Sequence, residues 1–459
     1  MQSNYFANIY KITSYADTEI IEECVKEACE LHHVIRSWKP SEKRHVVIKP
    51  NWIQESHEIY TDVWESLITH PSIVESILKV ISAKMGGEGI VSICDAPHTY
   101  ANFSKILSRG NLKEKILESR KRWPKLDIKL IDLRREIWIR KEEVIVDRIA
   151  NDPDPNGYVE FDLGSSSLFY KHPGEGKYYG ADYDSEVVRQ HHQGITQEYL
   201  LAGTPIICDF FINVPKLKTH KKTGVTCCLK NLVGINGDKN WLPHHTEGTP
   251  ETGGDEFPNK STKNKLEIML KKLFQKLALN FPFIGGWFYR KIRTYGKIVL
   301  GASDHIIRNG NWHGNNTCWR MALDLNRCLI YGKSDGTFLD SKTRKPYLAI
   351  VDGIIGGQGN GPVSPEIINS EALITGDNPA VIDAISCQVM GFDPCKVPLV
   401  RESFDLDHKW PIAPCAMDKV TVFDGQAKKN VPLSDIRPWN KKNFKPHFGW
   451  VGFVEKNGS

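Results

Sequence analysis

The sequence predicts an α/β protein with mostly parallel sheets, crossover helices and two α/β lobes around a central cleft. The first observation is that short apolar runs, such as HVVIKP and GIVSIC, alternate with amphipathic segments of helical length. The second is that polar residues directly follow several of these runs. Because ligands gather at the carboxyl ends of parallel strands, we expect a site at that edge. A chain of 459 residues is long enough for about two or three domains or subdomains.

The N-terminal lobe is predicted over residues 1–135. Apolar residues at helical spacing predict its three helices, at 17–38, 71–85 and 103–121. Buried-looking apolar runs predict its three strands, at 45–52, 89–94 and 126–134. Lys49, Asn51 and Asp95 come at the ends of the first two strands, so we expect these side chains at one edge of the sheet.

The middle of the chain divides into an antiparallel insertion and a central segment. Residues 136–198 hold short alternating runs such as VIVDRI and YVEFDL, which favour antiparallel hairpins. Residues 199–264 begin with a short predicted helix, at 199–203, and a strand, at 206–214. That strand leads into KLKTHKKTGVTCCLKNLVGINGDK, which is dense in Lys, His, Asn and Asp. We interpret this segment as the floor of an active site.

An inserted helical arm is predicted over residues 265–299. Leucines at helical spacing alternate there with lysines, and an aromatic and basic stretch follows. A basic amphipathic helix with an aromatic tip suits a membrane interface, here through residues 265–293. The alternative is an arm that packs on the body of the protein or on a second subunit, because amphipathic helices are usually half buried.

A C-terminal lobe is predicted over residues 300–415, and a tail over 416–459. The lobe is expected to hold a helix capped by Asn316 or Thr317 and a further helix at 378–390. The stretch GIIGGQGNGP precedes that second helix and follows a strand. Its glycines predict a flexible loop over the site.

The composition sets further expectations about location and partners. The eleven cysteines are scattered and form no CxxC pair, so we expect no iron–sulfur cluster and a reducing cytosol. A net charge of +5 is too mild to predict a nucleic-acid partner. The N-terminal residues lack a signal-peptide pattern, and no apolar run approaches the roughly 18 residues that a spanning helix needs. We expect a cytoplasmic protein, either free or peripheral on the membrane.

The central segment carries the candidate catalytic residues. If its strand continues, Lys216, Lys218 and His220 point to one side by the period of two. Ammonium groups that converge with a histidine would hold a phosphate or carboxylate and leave the imidazole for proton transfer. The alternative is a solvated basic loop, but apolar stretches frame the run on both sides. The predicted catalytic residues are His220, Lys230, Lys218 and Asp95.

Polar residues at strand ends and in the block NWHGNNTCWR are predicted to bind the substrate. Amide, indole and guanidinium groups suit the hydroxyls of a sugar or nucleotide, with tryptophan as a stacking face. The predicted substrate-binding residues are Lys49, Asn51, Lys216, Asn231, Asn236, Asn311, Trp312, Asn316, Arg320 and Asp352.

A divalent metal is a further candidate ligand. Imidazole and carboxylate groups suit iron, manganese, zinc or nickel. The candidate ligands are His192, His244, His245, Asp255 and His313. Since neighbouring side chains diverge, at most one of two adjacent histidines is expected to bind a given ion. The alternative is that these histidines hydrogen-bond an anionic or sugar ligand.

Several motifs resemble a known family. The stretches KPNW, DAP, NVPKLKTHKKTGVT, LKNLVGINGDK and VDGIIGGQGNGP are similar to the family called domain of unknown function 362, over about residues 45–405. Members with a four-iron ferredoxin module carry close CxxC cysteines, which this chain lacks. The HH, LPHH, GGDEFP and NWHGNNTCWR blocks resemble members found among surface-polysaccharide and natural-product genes, which implies a sugar-like or lipid-linked substrate.

A second resemblance is to lactate racemase and its relatives, which use a nickel-pincer nucleotide cofactor. Their motif has a His, a Gly four residues on and a cofactor-bearing Lys ten residues on, and His220, Gly224 and Lys230 have that spacing here. The resemblance implies that His220 transfers protons and that Lys230 carries or contacts the cofactor. The racemase motif has two glycines just before its lysine, where this chain has CCL.

The function expected from the sequence is a cytosolic enzyme that acts on an anionic or sugar-like small molecule, in surface-glycan or natural-product biosynthesis. Histidine would supply acid–base chemistry and lysines would bind the anion. One alternative is a racemase or epimerase of hydroxy acids or sugars of the nickel-pincer type. The other is a membrane-associated binding or scaffold protein. A homo-oligomer is compatible with each of these hypotheses.

Overall fold

The computed structural model describes residues 5–39, 42–141, 144–180, 185–281, 284, 287, 306–439 and 442–456. Its strands are β1 (Ala7–Lys11), β2 (His45–Pro50), β3 (Gly89–Asp95), β4 (Leu126–Asp132), β5 (Glu136–Lys141), β6 (Val144–Ala150), β7 (Tyr158–Asp162), β8 (Tyr178–Tyr179), β9 (His192–Gln193), β10 (Thr196–Ala202), β11 (Phe210–Val214), β12 (Lys216–His220), β13 (Gly224–Thr226), β14 (His245–Thr246), β15 (Tyr347–Asn360), β16 (Ser364–Gly376), β17 (Thr421–Asp424) and β18 (Lys429–Pro432). Its α-helices span Thr18–Leu31, His33–Arg36, Pro71–Lys84, Phe103–Ser108, Leu112–Arg122, Glu186–Gln190, Gly203–Ile207, Cys228–Asn231, Thr262–Asn280, Cys318–Tyr331, Pro379–Met390 and Pro398–Arg401.

Eleven of these strands join in one sheet at the centre of the fold. Nine follow the order β18-β17-β1-β16-β15-β11-β2-β3-β4, while β12 pairs with β15 and forms a hairpin with β13. Parallel pairing runs from β15 through β11, β2 and β3 to β4, and β16 returns antiparallel to β15. The α/β class and the mostly parallel sheet predicted from the sequence are confirmed. Strands from both predicted lobes lie in this sheet, and β11 joins them.

The side chains of the central strands alternate between two apolar cores, one on each face of the sheet. In β2, Val46 and Ile48 belong to one core and Val47 belongs to the other. Strands that are covered on both faces read as continuous apolar runs, which explains HVVIKP in β2 and FFINV in β11. A polar residue in such a run therefore needs a specific partner.

Local signals set the ends of the helix Pro379–Met390 where the sequence predicted them. The Asn378 side chain accepts hydrogen bonds from the backbone N–H groups of Ala380 (3.0 Å) and Val381 (3.2 Å). Pro379 takes the first helical position, where its missing N–H costs nothing. Gly391 ends the helix in the left-handed conformation, with φ 80°.

One other helix prediction needs correction, and a second gains a detail. The helix predicted at 103–121 is interrupted because Gly110 and Asn111 adopt left-handed φ values of 52° and 58°. The helix Cys318–Tyr331 has Thr317 as its N-cap residue, one of the two that the sequence suggested. The side chain that accepts hydrogen bonds at this helix start is that of Asn315, from the N–H groups of residues 317 (3.1 Å) and 318 (2.8 Å).

The middle of the chain is partly as predicted. The hairpin of β5 with β6 and the sheet β7-β10-β9 are antiparallel, as the alternating runs indicated. The short helix predicted at 199–203 is wrong, because those residues mostly belong to β10, and the helical turn comes later, at Gly203–Ile207. β11 then begins at residue 210, after this turn.

The glycine stretch GIIGGQGNGP forms the outer part of the β15–β16 hairpin, and the predicted loop is wrong there. β15 continues to Asn360, which pairs with Ser364 of β16. A Cβ on Gly357 would lie 2.7 Å from the backbone oxygen of Ser66 and 2.9 Å from the Cβ of Lys218. The glycine allows β12 to approach closely.

The predicted arm contains the helix Thr262–Asn280. Of the rest of the arm, residues 282–283, 285–286 and 288–299 lie outside the described residues. No helix in the described part of the chain is long and apolar enough to cross a membrane.

Candidate functional site

The candidate site lies at the carboxyl ends of β2, β3 and β11. Lys49 is close to the end of β2, Asp95 ends β3, and Asn213 is the penultimate residue of β11. β12 continues from β11 after one residue, and the helix Cys228–Asn231 follows β13. The topology thus brings the lysine-rich segment to the edge of the sheet where ligands usually bind.

Lys49 and Asp95 form a buried ion pair at this edge. Lys49 Nζ lies 2.7 Å from Asp95 Oδ1, and both side chains are almost completely buried. The backbone N–H of Trp52 donates to Asp95 Oδ2 at 2.6 Å. A Cβ on Gly234 would overlap Asp95 Oδ1, so glycine is required there. Asp95 is therefore occupied in neutralising Lys49, which differs from the catalytic role predicted for it.

Three asparagines continue the network from Lys49. Asn231 Oδ1 accepts hydrogen bonds from Lys49 Nζ (3.0 Å) and from Asn51 Nδ2 (2.8 Å). Asn231 Nδ2 donates to Asn213 Oδ1 at 2.7 Å. The structure thus brings together Lys49, Asn51 and Asn231, as predicted, and adds Asn213. The signal for Asn213 was a single amide inside an otherwise apolar strand.

Lys216 and Asp352 form a second ion pair, whose charges and hydrogen bonds are satisfied within the protein. Lys216 Nζ lies 3.0 Å from Asp352 Oδ2 and donates to the hydroxyl of Tyr15 at 2.7 Å. The Tyr15 hydroxyl donates to Asp352 Oδ1 at 2.7 Å. Burial lowers the pKa of Lys216, and the Asp352 charge opposes that shift. These two predicted substrate-binding residues satisfy each other, and their role in binding a substrate stays a prediction.

Three buried lysines at the site have no carboxylate partner among the described residues. Lys230 is 8% exposed and has neither a hydrogen-bond nor an ion-pair partner within the described part of the chain. Lys218 is completely buried and donates to the carbonyl oxygen of Leu67. Lys239 donates to the carbonyl oxygen of Val233 at 2.5 Å. Unlike the two ion pairs, these ammonium groups are not neutralised by the described residues.

The same neighbouring charges affect the pKa values of Lys218 and Lys239. Burial lowers the pKa of Lys218 well below its usual range, and the charges of Lys216, Lys230 and Lys49 add to the shift. Burial lowers the pKa of Lys239 to about 7, with Lys49 and Lys230 again contributing. Lys49 and Lys230 act on both groups, whereas the charge of Asp95 opposes both shifts. The lowered pKa values disfavour the ammonium form, which a bound anion would stabilise.

His220 has a fixed tautomer. Its Nδ1 accepts hydrogen bonds from the backbone N–H groups of Lys222 (3.1 Å) and Thr223 (3.3 Å). Because those groups can only donate, the proton of the neutral ring is on Nε2. Burial, and then the charge of Lys230, hold the pKa of His220 well below its usual range. His220 is thus a neutral imidazole whose Nε2–H has no partner among the described residues.

His244 has the opposite tautomer. Its Nδ1 lies 2.8 Å from the carbonyl oxygen of Leu242, which can only accept, so Nδ1 carries the proton. Burial, and then the charges of Lys230 and Lys222, hold the pKa of His244 well below its usual range. His244 Nε2 is therefore a lone-pair acceptor. The charge of Lys230 lowers the pKa of both His220 and His244. The site therefore holds two neutral imidazoles: His220, which can donate through Nε2–H, and His244, which can accept through Nε2.

The structure does not bring the five predicted metal ligands into one set. His192 uses both ring nitrogens, Nδ1 with Gln197 Oε1 (3.1 Å) and Nε2 with the Trp241 carbonyl oxygen (2.8 Å). Asp255 Oδ2 accepts from the hydroxyl of Thr317 at 2.6 Å. These two side chains are engaged in holding neighbouring loops.

The remaining predicted ligands also separate. His245 Nδ1 lies 3.4 Å from Lys222 Nζ, and its ring stacks on Tyr179. His313 stacks on Phe453, with 4.1 Å between ring centroids. Of the five candidates, only His244 is assigned to the site.

Cys227, Cys228 and Asp383 form a separate buried cluster, with possible ligand atoms within 4.8 Å of one another. Asp383 accepts from the backbone N–H groups of Cys228 (2.7 Å) and Leu229 (3.1 Å), at the start of the helix that carries Lys230. Burial raises the pKa of both thiols, which keeps them protonated. Asp383 therefore fixes the start of this helix and helps to position Lys230.

The predicted sugar-binding block uses its polar groups within the protein. Trp312 Nε1 donates to the carbonyl oxygen of Asp255 at 2.8 Å. Asn311 bonds the backbone of its own loop. Arg320 Nη2 donates to Asn316 Oδ1 at 3.1 Å. These contacts hold loops in place, and the role of these four residues in binding a substrate stays a prediction.

Lys222 and Lys239 lie in the cluster but were not predicted from the sequence, and the structure adds detail to the prediction for Asn236. Both lysines belong to the same lysine-rich stretch, but the sequence does not show that they are buried. Burial lowers the pKa of Lys222 to about 8. The predicted Asn236 accepts from the backbone N–H of Asp238 at 3.0 Å, while its buried Nδ2 has no partner among the described residues.

Comparison with known proteins adds a family and a distant structure. The family described as "Domain of unknown function (DUF362)" matches residues 142–388, more than half of the chain. The crystal structure of a protein from Thermotoga maritima, a Northeast Structural Genomics Consortium target, matches with 9% identity and a TM-score of 0.31. The match covers 76% of this chain, which spans about half (54%) of that one. No curated protein matches, and none of these findings confirms the resemblance to lactate racemase.

Proposed function

The chain belongs to the DUF362 family, and we propose that it is an enzyme that binds an anionic small molecule and moves a proton on it. One observation carries the proposal: Lys230 is buried, without a partner among the described residues, inside a cluster of other lysines. A buried ammonium group without a counter-charge is costly, and an anionic ligand would remove that cost.

The proposed ligand carries a carboxylate or phosphate group. Charge-assisted hydrogen bonds from ammonium groups to such oxygens are short and about twice as strong as neutral ones. Lys230 and Lys218 would hold the anion, and Asn236 Nδ2 is a further buried donor near Lys239. The Lys49–Asp95 pair and the asparagine network would keep these groups in place without contributing charge.

The proposed reaction is proton abstraction from a carbon next to a carbonyl or carboxylate group. His244 Nε2, which has a lone pair, would take the proton from carbon. The C–H electron pair would move onto the substrate oxygen, where His220 Nε2–H and Lys230 would stabilise the negative charge. Return of the proton from His244 to the opposite face of the same carbon would give an epimer. Return of the proton to the neighbouring carbon would give an isomer. In this proposal His220 is a hydrogen-bond donor, and the predicted role of general acid/base passes to His244.

Hydrogen exchange tests the proposal across a panel of candidate substrates. The protein is incubated in D₂O with hydroxy acids, sugar acids and sugar phosphates, and each compound is weighed by mass spectrometry. We expect at least one compound to gain a deuteron with the wild type and not with His244→Gln. His313→Gln, which alters a half-buried histidine outside the cluster, is the matched control. Exchange by His244→Gln at the wild-type rate would reject the assigned base.

The second candidate function is a racemase or epimerase with a cofactor attached to Lys230. It is favoured by the same unpartnered ammonium, whose pKa burial lowers, because the neutral amine is the nucleophilic form of lysine. Such a cofactor, which would be held at Lys230 near His220, would supply the chemistry of stereochemical inversion. Intact-mass measurement and peptide mapping test this candidate: added mass on Lys230 supports it, and an unmodified peptide excludes covalent attachment.

A further inference from the structure

The helix Thr262–Asn280 leaves a large apolar surface in contact with solvent. Ala278 is the one buried residue among those of the helix whose burial is described. The exposed apolar side chains of the helix and the following residues are Leu266, Met269, Leu273, Leu279, Phe281, Ile284 and Trp287, each between 43% and 59% exposed. An apolar surface of this extent usually marks a site of interaction.

The segment that presents this surface is also strongly basic. Residues 260–281 contain six lysines and one glutamate. A second copy of the chain, docked through the same surface by two-fold symmetry, would bring like charges together. A bilayer with anionic head groups supplies the opposite charge and apolar chains at the same surface.

Ion pairs attach the helix to the body of the protein beside the candidate site. Lys271 pairs with the buried Glu256, and Lys272 Nζ lies 2.8 Å from Glu247 Oε1. Lys271 Nζ also lies 3.9 Å from the centroid of the Tyr179 ring, on which His245 stacks. The middle of the helix, at Lys271 and Lys272, is therefore next to the loop that carries His244.

We propose that the helix Thr262–Asn280 docks the protein onto a bilayer surface that contains anionic phospholipids. Its apolar face enters the boundary between head groups and acyl chains, and the exposed Lys260 and Lys265 contact the phosphates. The attachment at Glu256 and Glu247 then brings the loop that carries His244 close to the membrane surface. This docking is independent of the reaction proposed for the site.

Sedimentation with vesicles of phosphatidylcholine, with or without phosphatidylserine, tests the proposal on the full chain. We expect the wild type to sediment with the phosphatidylserine vesicles and at least about tenfold less with phosphatidylcholine alone. The double variant Met269→Glu/Leu273→Glu should bind the anionic vesicles at least about tenfold more weakly. Both substituted side chains are exposed, so the fold should persist, which circular dichroism checks.

Leu117→Glu provides the matched control, because Leu117 is equally exposed on a different helix, Leu112–Arg122. It should bind vesicles like the wild type. The proposal is overturned if the wild type stays in the supernatant or if the double variant sediments like the wild type. It is also overturned if light scattering shows a dimer that the double variant dissociates, since the face would then belong to a second copy.

Discussion

Lys216 and Lys218 lie two residues apart on β12, and both are buried. Lys216 has a carboxylate partner, whereas Lys218 has none among the described residues. Lys216 meets Asp352 at 3.0 Å and the Tyr15 hydroxyl at 2.7 Å. Lys218 meets the Leu67 carbonyl oxygen, and burial, followed by the charges of other lysines, lowers its pKa. The first arrangement is complete without a ligand, whereas the second leaves positive charge to be balanced. Burial of a lysine therefore does not by itself indicate a binding site, whereas a missing counter-charge makes the lysine a candidate for anion binding.

The Lys216–Asp352 ion pair should be more sensitive to the loss of a partner than the contact that Lys218 makes. Asp352→Asn removes the negative charge and leaves Lys216 buried without it, which should lower the free energy of unfolding by about 3–5 kcal/mol. Urea denaturation measures this change. Adding Lys216→Met to Asp352→Asn should recover part of the loss, because the uncompensated charge is then gone. A loss below about 1 kcal/mol for Asp352→Asn would show that the pair is not structural.

Replacing either Lys216 or Lys230 by methionine compares a lysine that has a counter-charge with one that has none among the described residues. Lys216→Met should destabilise the fold, since Asp352 loses its counter-charge. Lys230→Met should leave the free energy of unfolding unchanged or raise it by up to about 1 kcal/mol, because it removes an unpaired buried ammonium. Equal destabilisation by both substitutions would mean that Lys230 has a structural partner.

Lys230→Met should also weaken anion binding. Sulfate should stabilise the wild type by the linkage between binding and folding. Loss of the Lys230 ammonium should weaken sulfate binding by about 1.5–3 kcal/mol, the contribution of a hydrogen bond to a charged group. Thermal unfolding over a sulfate series, at constant ionic strength set by chloride, measures the difference. Undiminished stabilisation of Lys230→Met by sulfate would place the anion elsewhere.

A substitution at Gly234 should open the Lys49–Asp95 ion pair. The Cβ of Gly234→Ala would overlap Asp95 Oδ1 and press on Lys49 Nζ. Such overpacking costs about 1–3 kcal/mol, which urea denaturation would detect. Gly176→Ala is the matched control for a glycine with open space around its Cβ, although its φ of 75° adds backbone strain. A fully stable Gly234→Ala protein would show that the pair can shift without cost.

The sequence was sufficient for features that local physics determines. Apolar runs predicted β2, β3 and β11 because strands covered on both faces must be apolar. Asn378, Pro379 and Gly391 predicted a helix because capping acts within a few residues.

The division of the lysines between scaffold and site could not be predicted in the same way. Asp352 is 136 residues from Lys216, and nothing near Lys216 in the sequence announces it. The tautomers of His220 and His244 depend on backbone groups whose positions follow from the folded loops. The sequence therefore placed Lys216 and Lys218 together as anion-binding groups, and only the counter-charges in the folded structure separate them.

The smallest expected effect is the pH dependence of anion binding. Burial, with nearby lysines contributing, lowers the pKa of Lys239 to about 7. A bound anion favours the charged amine and raises this pKa, so binding takes up a proton at pH values above about 7. Sulfate affinity should therefore fall as pH rises from about 7 to about 8, by at most about tenfold for one lysine. Sulfate does not titrate in this range, so calorimetry reports the protein groups alone. Lys239→Met should flatten this slope while Lys265→Met, on the exposed helix Thr262–Asn280, should leave it unchanged, and a slope unaltered by Lys239→Met would remove Lys239 from the anion site.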